Sequence, residues 1–273
     1  MDFGYLTNRI IVVLSLASFI SVLVYQLIVD TSVLSGLNIA FAAGFAVFLC
    51  WALGREIDPA NDWSAFVALP ATFIIALFYG GPGFMVLLFI LLFSRVLNGT
   101  TGTQATSLDS VILIIIGGVL HFDGITSALP ALTLVFILDR LLKPVKREQA
   151  YFGLASLLTY VVLLVFTPER VILFQGLSAY TAYASFLLII AAAVVIYQTK
   201  SDQTYNNKAG FQLQPRRVFA SQALIVFFML AEISSKGSAV FIYFYPAMAA
   251  YYGAALFHLA VLIRSRQKQL VRK

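Results

Sequence analysis

The chain has 273 residues, 61% of them hydrophobic and 11% charged, with a mean hydropathy of +0.93. A soluble domain needs about a quarter of its residues charged to cover its surface, so a soluble fold is excluded. The net charge of +6 does not call for nucleic acid, because basic residues beside membrane helices set orientation and touch anionic headgroups.

The expected fold is therefore all-α: a polytopic integral membrane helical bundle of about ten segments. No polar stretch is long enough for a separate soluble domain, so residues 1–273 read as one transmembrane domain. The first apolar run, residues 10–29, follows Arg9. It resembles a signal sequence in charge and apolar core, but it is long, lacks a small-residue cleavage site, and is read as a retained helix. The second run, 33–53, carries the single cysteine, Cys50, beside Trp51 and reads as a packed, inert thiol.

The third to fifth runs, 64–79, 84–97 and 109–120, fall short of the ~20 residues that cross a hydrocarbon core upright. Such pieces survive where protein surrounds their ends, where the bilayer thins or where a wet cavity satisfies the backbone. The remaining runs are 124–142, 151–166, 176–197, 218–234 and 239–263. Pro70, Pro130 and Pro246 are expected to kink their helices. The break between residues 120 and 124 splits the chain into five and five, giving halves 1–122 and 123–273 of inverted orientation, as in many transporters.

With the N-terminus inside and the segments alternating, only Arg170 and Lys236 of the eighteen Lys and Arg residues fall outside. That asymmetry obeys the positive-inside rule and places both termini on the cytoplasmic side of a cell membrane, the inner membrane in a bacterium. The same inner face gathers the two polar strings with the most chemistry.

The first string is Gly54-Arg55-Glu56-Ile57-Asp58-Pro59-Ala60-Asn61-Asp62-Trp63-Ser64. Asp58 and Asp62, four apart, would share a helix face and could hold Mg²⁺ against a diphosphate, since hard oxygen ligands suit that ion. Pro59 favours a different arrangement, with Asp58 capping a new helix start, Asp62 or Ser64 capping the next span, and Arg55 paired with Glu56 or Asp58. Asp58-Pro-Ala-Asn-Asp62 resembles a shortened form of the Asp-rich motif in intramembrane prenyltransferases of the UbiA type. That resemblance covers about a dozen residues and implies a Mg²⁺-dependent activity; the family's second Asp-rich loop is matched only by Ser201-Asp202-Gln-Thr-Tyr-Asn-Asn-Lys208, with one carboxylate.

The second string runs from Arg95 through Asn98, Thr100, Thr101 and Thr103 to Asp109. Its hydroxyls, glycines and arginine could grip a phosphate or carboxylate, or form a plain turn with Asp109 as a helix cap. Nearby in the membrane topology, Asp139 needs a partner at its depth, and Arg140 or Arg95 is expected to supply it. On the opposite side, His121 with Asp123, and Glu232 with Lys236, read either as a proton relay or as helix-end pairs. His258 is expected to face headgroups, and the tyrosines at 243, 245, 251 and 252 either line a cavity or pack beside the small residues Ala249, Ala250, Gly253 and Ala254.

Three functions fit. A small transporter or flippase for an apolar or lipid-like substrate stands first, with a topology similar to the drug/metabolite transporter superfamily. An intramembrane enzyme acting on a phosphate-bearing lipid is the alternative; its site would draw on Arg55, Glu56, Asp58, Asp62, Arg95, Asn98, Thr100, Asp109, Asp139 and Arg140, with Mg²⁺ as cofactor. A noncatalytic subunit of a larger membrane complex is the third. Membrane lipids are the expected partners, with a homo-oligomer or complex subunits allowed by the apolar faces and no nucleic acid.

Overall fold

The computed structural model describes residues 4–29, 32–99, 106–142, 148–167, 178–201, 205–206 and 212–271. Helices dominate them: α1 Leu6–Ile28, α2 Val33–Ile57, α3 Ser64–Val67, α4 Leu69–Tyr79, α5 Phe84–Asn98 and α6 Ser107–Phe122. There follow α7 Ala128–Leu142, α8 Glu148–Phe166, α9 Ala179–Ser201, α10 Pro215–Lys236 and α11 Phe241–Val271. Between α9 and α10, strands β1 Tyr205–Asn206 and β2 Gln212–Leu213 form a minimal antiparallel pair, Tyr205 opposite Leu213.

Five helical stretches are long and apolar enough to cross a membrane: α1, α2, α8, α9 and the run Pro215–Lys268. That last run is two helices, because Gly237 adopts φ +67 and ends α10 before a single 3₁₀ turn leads into α11. Ser64–Tyr79, Phe84–Asn98 and Ser107–Phe122 are the shorter apolar helices. The length of these pieces and the helical membrane character thus follow the apolar pattern of the sequence.

Local chemistry explains the boundaries. Ser32 caps α2 by accepting the Ser35 N–H, and Thr106 with Asp109 forms a full capping box at the start of α6. The other end of α6 is a Schellman turn, with the Gly124 N–H on the His121 carbonyl and the Ile125 N–H on that of Leu120. Gly124 sits there at φ +87, a conformation only glycine adopts freely. The following helix consequently begins at Ala128, later than residue 124, and Pro130 lies in its first turn. A proline there lacks only an N–H that has no intrahelical partner, so Pro130 starts a helix where a kink was expected. Pro70 does interrupt: it cannot donate to the Phe66 carbonyl, and the segment divides at Ala68 into α3 and α4.

By contacts the chain forms two compact units. Unit 1 comprises Met1–Leu87, Ile190–Gln198 and Ile242–Lys273; unit 2 comprises Leu88–Ile189 and Thr199–Phe241. Inside unit 1, α1 and α2 pack through small residues, with Gly44 so close to α1 that a Cβ would lie 3.0 Å from the Ser15 carbonyl. The core there joins Val22, Ala40, Ala43, Ala46, Ala76 and Tyr245. Two further close approaches hold the broken α3–α4 helix: a Cβ at Gly54 would lie 2.9 Å from Ala65, and one at Gly253 would lie 2.7 Å from the Ala68 nitrogen.

Inside unit 2, α7 packs against α6, α8 and α10. Ser156 of α8 donates to the Leu129 carbonyl at 3.1 Å, and Gly117 of α6 admits the Leu129 side chain. An aromatic triad of Phe89, Phe93 and Phe228 joins α5 to α10, its ring centroids 5.4 to 6.2 Å apart.

Candidate functional site

The polar link after α2 folds onto itself. Asp58 is the C-cap of α2, not the cap of a new helix: its N–H donates to the Gly54 carbonyl at 2.9 Å and Trp63 is the residue that precedes α3. Asn61 donates its side-chain amide to Asp58 Oδ1 at 3.0 Å, and the Asn61 carbonyl accepts both the N–H and the hydroxyl of Ser64, at 3.0 and 2.8 Å. Arg55 pairs with Asp62 at 3.2 Å, where Glu56 or Asp58 was expected, and its guanidinium lies 5.6 Å from the Trp51 ring centroid. That distance suits a cation–π contact.

The second oxygen of Asp58 reaches across to α11, where His258 Nε2 lies 3.0 Å away. Asp58 is 3% exposed and His258 is 8% exposed, so the histidine is part of the interior and does not face headgroups. Glu56, also on α2, is buried as well. Sequence reasoning missed the pairing because nothing local connects residues 200 apart; only the burial cost of a charged aspartate signals that some distant partner must exist.

Unit 2 carries its own buried charges. Asp139 of α7 accepts from Arg217 of α10, and the same guanidinium donates to the Val96 carbonyl of α5 at 3.0 Å. Arg217 thus replaces the expected Arg140 or Arg95 as the partner of Asp139. At the other end of α7, Glu232 is fully buried: Ser127 donates to its Oε1 through both backbone N–H, at 2.8 Å, and hydroxyl, at 2.6 Å. Lys236 completes the cluster at 2.9 Å from Oε2, the helix-end pair that the spacing suggests. The two ties put the start of α10 beside the end of α7 and the reverse, so these helices run antiparallel.

The remaining candidates scatter. Asp109 is consumed by the capping box, its Oδ2 accepting the Thr106 N–H at 2.7 Å and hydroxyl at 2.9 Å. Asn98 is buried at the end of α5, while Arg95 and Arg140 are half-buried on α5 and α7. Thr100 lies outside the described residues. His121 is buried and meets Thr167 at 2.9 Å, whereas Asp123 is exposed. Cys50 is buried and accepts the Thr72 hydroxyl at 3.1 Å, as a packed thiol should. Among the described residues, no three His, Cys, Asp or Glu side chains are placed to hold a metal ion.

Unit 1 contains an apolar groove of about 370 Å³. Its α1 wall is Leu14, Ala17, Ser18 and Ser21, its α2 contribution is Val47, and the broken helix supplies Phe66, Leu69, Pro70 and Phe73. Ser18, Val47 and Leu69 are buried at the floor; Leu14, Ala17, Ser21 and Pro70 are exposed at the rim. The Ser18 hydroxyl donates back to the Leu14 carbonyl at 2.8 Å, which leaves the floor without an offered donor. The tyrosines of α11 do not line it: Tyr251 is fully buried and Tyr245 points its hydroxyl at the Gly80 carbonyl.

No protein-family model, curated protein or solved structure matches the chain.

Proposed function

We propose that the chain is a small membrane transporter or flippase for an apolar or lipid-like substrate, and that the unit 1 groove is part of the substrate path. The observation that carries this reading is the groove itself, apolar apart from Ser18 and Ser21 of α1 and bordered by a segment that divides at Ala68 ahead of Pro70. Broken helices beside a cavity recur where transporters handle substrates in the membrane. With the Ser18 hydroxyl turned back to the Leu14 carbonyl, the floor favours an acyl chain or other apolar group over a sugar or ion.

The reading takes the ten-segment arrangement with both termini cytoplasmic. Two ties agree with it: the Asp58–His258 contact puts the C-terminal parts of α2 and α11 at one level, and α7 and α10 run antiparallel, both as an alternating arrangement expects. The enzyme reading, with Mg²⁺ on Asp58 and Asp62, finds less support because Asn61, His258 and Arg55 already occupy those carboxylates. Membrane lipids are the proposed partners.

The test is reconstitution into liposomes containing a fluorescent short-chain phospholipid, with dithionite added outside to quench accessible lipid. The expected outcome is a rapid second phase that protein-free vesicles lack, reduced about tenfold or more by Ala17→Trp, which fills the groove. A quench limited to the outer leaflet, the same as in protein-free vesicles, would sink the proposal.

A further inference from the structure

The polar cluster beside the groove has a feature that an inert helix tie does not need. His258 and Asp58 form a carboxylate–imidazole contact of 3.0 Å in a buried setting. Imidazole is the side chain that changes charge between about pH 5 and 8, so the contact has two forms: a neutral histidine beside a charged Asp58, or a full ion pair. A lone carboxylate is costly to bury, and a proton on His258 balances it. Of the other charged groups on these elements, Arg55 is committed to Asp62 at 3.2 Å, Glu56 has a partner of its own, and Arg264 lies exposed almost two turns further along α11. Tyr251 and Tyr252 lie one to two turns earlier on α11, α3 has no titratable side chain, and α4 has only Tyr79 at its far end.

The pair is also mechanically connected to the groove. Asp58 Oδ1 holds the Asn61 amide; the Asn61 carbonyl holds Ser64, the first residue of α3; and α3 and α4 present Phe66, Leu69 and Pro70 to the groove. On its other side the same broken helix is pressed against Gly54 of α2 and Gly253 of α11, the two helices that carry Asp58 and His258. Any change in how α2 and α11 are held at this pair therefore acts on the helix that forms one wall of the groove. Such a chain of contacts is a physical route for coupling, and the segment it reaches divides at Ala68, where Pro70 removes a helix hydrogen bond.

We propose that Asp58 and His258 together form a proton-binding site whose occupancy sets the opening of the apolar groove. Proton uptake completes the ion pair and seats α3–α4 between α2 and α11; proton loss weakens the α2–α11 tie and frees the broken helix to move. The inference rests on the transport reading for its purpose, since the groove is there taken as the substrate path and the proton as the coupling ion. The site itself is defined by chemistry that can be measured without any substrate.

The experiment uses full-length protein in liposomes, with Ser18→Cys at the groove floor as the reporter in a Cys50→Ala background. Removing the Cys50 thiol leaves Thr72 satisfied, because its hydroxyl also donates to the Ala68 carbonyl at 3.1 Å. Maleimide labelling rates, corrected for the intrinsic pH dependence of a free thiol control, are followed from pH 5 to pH 8. The expected result is a rise of about fivefold or more with pH, the lower end of ordinary coupling between sites. His258→Gln keeps a hydrogen-bond donor for Asp58 without the titration, and should make the corrected rate flat; Asp58→Asn should do the same.

A second measurement guards against variants that fail to fold. The chain has two histidines, so selective ¹⁵N-histidine spectra of the unmodified protein resolve His258 from His121. His258 should titrate over the pH interval in which the labelling rate changes. A flat labelling profile in the parent protein, a profile unchanged by folded His258→Gln, or a His258 that holds one protonation state from pH 5 to 8 would each overturn the proposal. Lipid movement absent in vesicles, with labelling and titration as expected, would instead overturn the transport reading and leave the proton site standing.

Discussion

Asp139 and Arg217, 78 residues apart in sequence, meet inside unit 2 and join α7 to α10. Because the same guanidinium also reaches the Val96 carbonyl, one side chain holds three helices. Removing one member of a buried pair leaves the other charge uncompensated, which costs about 3 to 5 kcal/mol. Arg217→Met and Asp139→Leu should each lower folded yield and the apparent unfolding temperature in detergent. The double variant should recover a large part of the loss, since an apolar pair of similar volume avoids the desolvation cost. If the double variant is as unstable as the sum of the two singles, the pair is not the source of the effect.

Glu232 secures the other end of the same two helices, and its substitutions should separate two roles. Glu232→Ala strips the acceptor from the Ser127 N–H and hydroxyl and should cost about 1 to 3 kcal/mol. Glu232→Gln keeps a carbonyl oxygen for Ser127 and loses only the attraction to partly exposed Lys236, about 0.5 to 1 kcal/mol. Thermal unfolding followed by tryptophan fluorescence orders the variants. Equal losses from Ala and Gln would assign the stability to the lysine pair alone.

The contrast between these ties and the helices they join shows what a single sequence carries. Helix positions were broadly legible because apolar runs and their breakers are local, while the capping box at Thr106 and the Schellman turn at Gly124 moved the ends of α6 and the start of α7 from where the apolar pattern put them. Lys236 could be paired with Glu232 for the same reason, being one turn away on one helix. Arg217 could not be assigned to Asp139, nor His258 to Asp58, because those choices depend on which helices become neighbours. Local adjacency even misled, making Arg140 the natural partner for Asp139. The groove was equally hidden, since Leu14, Val47 and Phe73 are unremarkable in any apolar run.

Close helix approaches give a sharper stability test. At Gly253 an added Cβ would meet the backbone of Ala68, which cannot swing aside like the end of a side chain. Gly253→Ala should therefore destabilise by about 1 to 3 kcal/mol, the usual cost of overpacking, despite the better helix propensity of alanine. Gly118, also helical, has nothing within 4 Å of its Cβ position. Gly118→Ala should be neutral or stabilise by up to about 1 kcal/mol. Apparent unfolding temperatures of the two variants should move in opposite directions, and a matched drop in both would contradict the packing of α11 on the broken helix.

The broken helix also decides the membrane arrangement. Ser64–Tyr79 is shorter than the ~20 residues an upright span uses, so it crosses with a thinned bilayer or protein-covered ends, or it enters and leaves on one side. Trp63 and Tyr79 bracket it and are 53% and 74% exposed, which makes them suitable positions for cysteine reporters. Gly81, in the turn beyond, is unsuitable because a Cβ there would run into the Ala42 side chain. In a Cys50→Ala background reconstituted into sealed vesicles of known orientation, a membrane-impermeant maleimide should label Trp63→Cys and Tyr79→Cys from opposite sides. Crossing keeps Arg9 and Arg55 on the side of Arg264, in line with the positive-inside rule and with the Asp58–His258 contact. Labelling of both cysteines from one side would make the segment re-entrant and reverse the orientation of one part of the chain relative to the other. The groove would then open beside a re-entrant hairpin, and a path across the bilayer would have to be sought elsewhere.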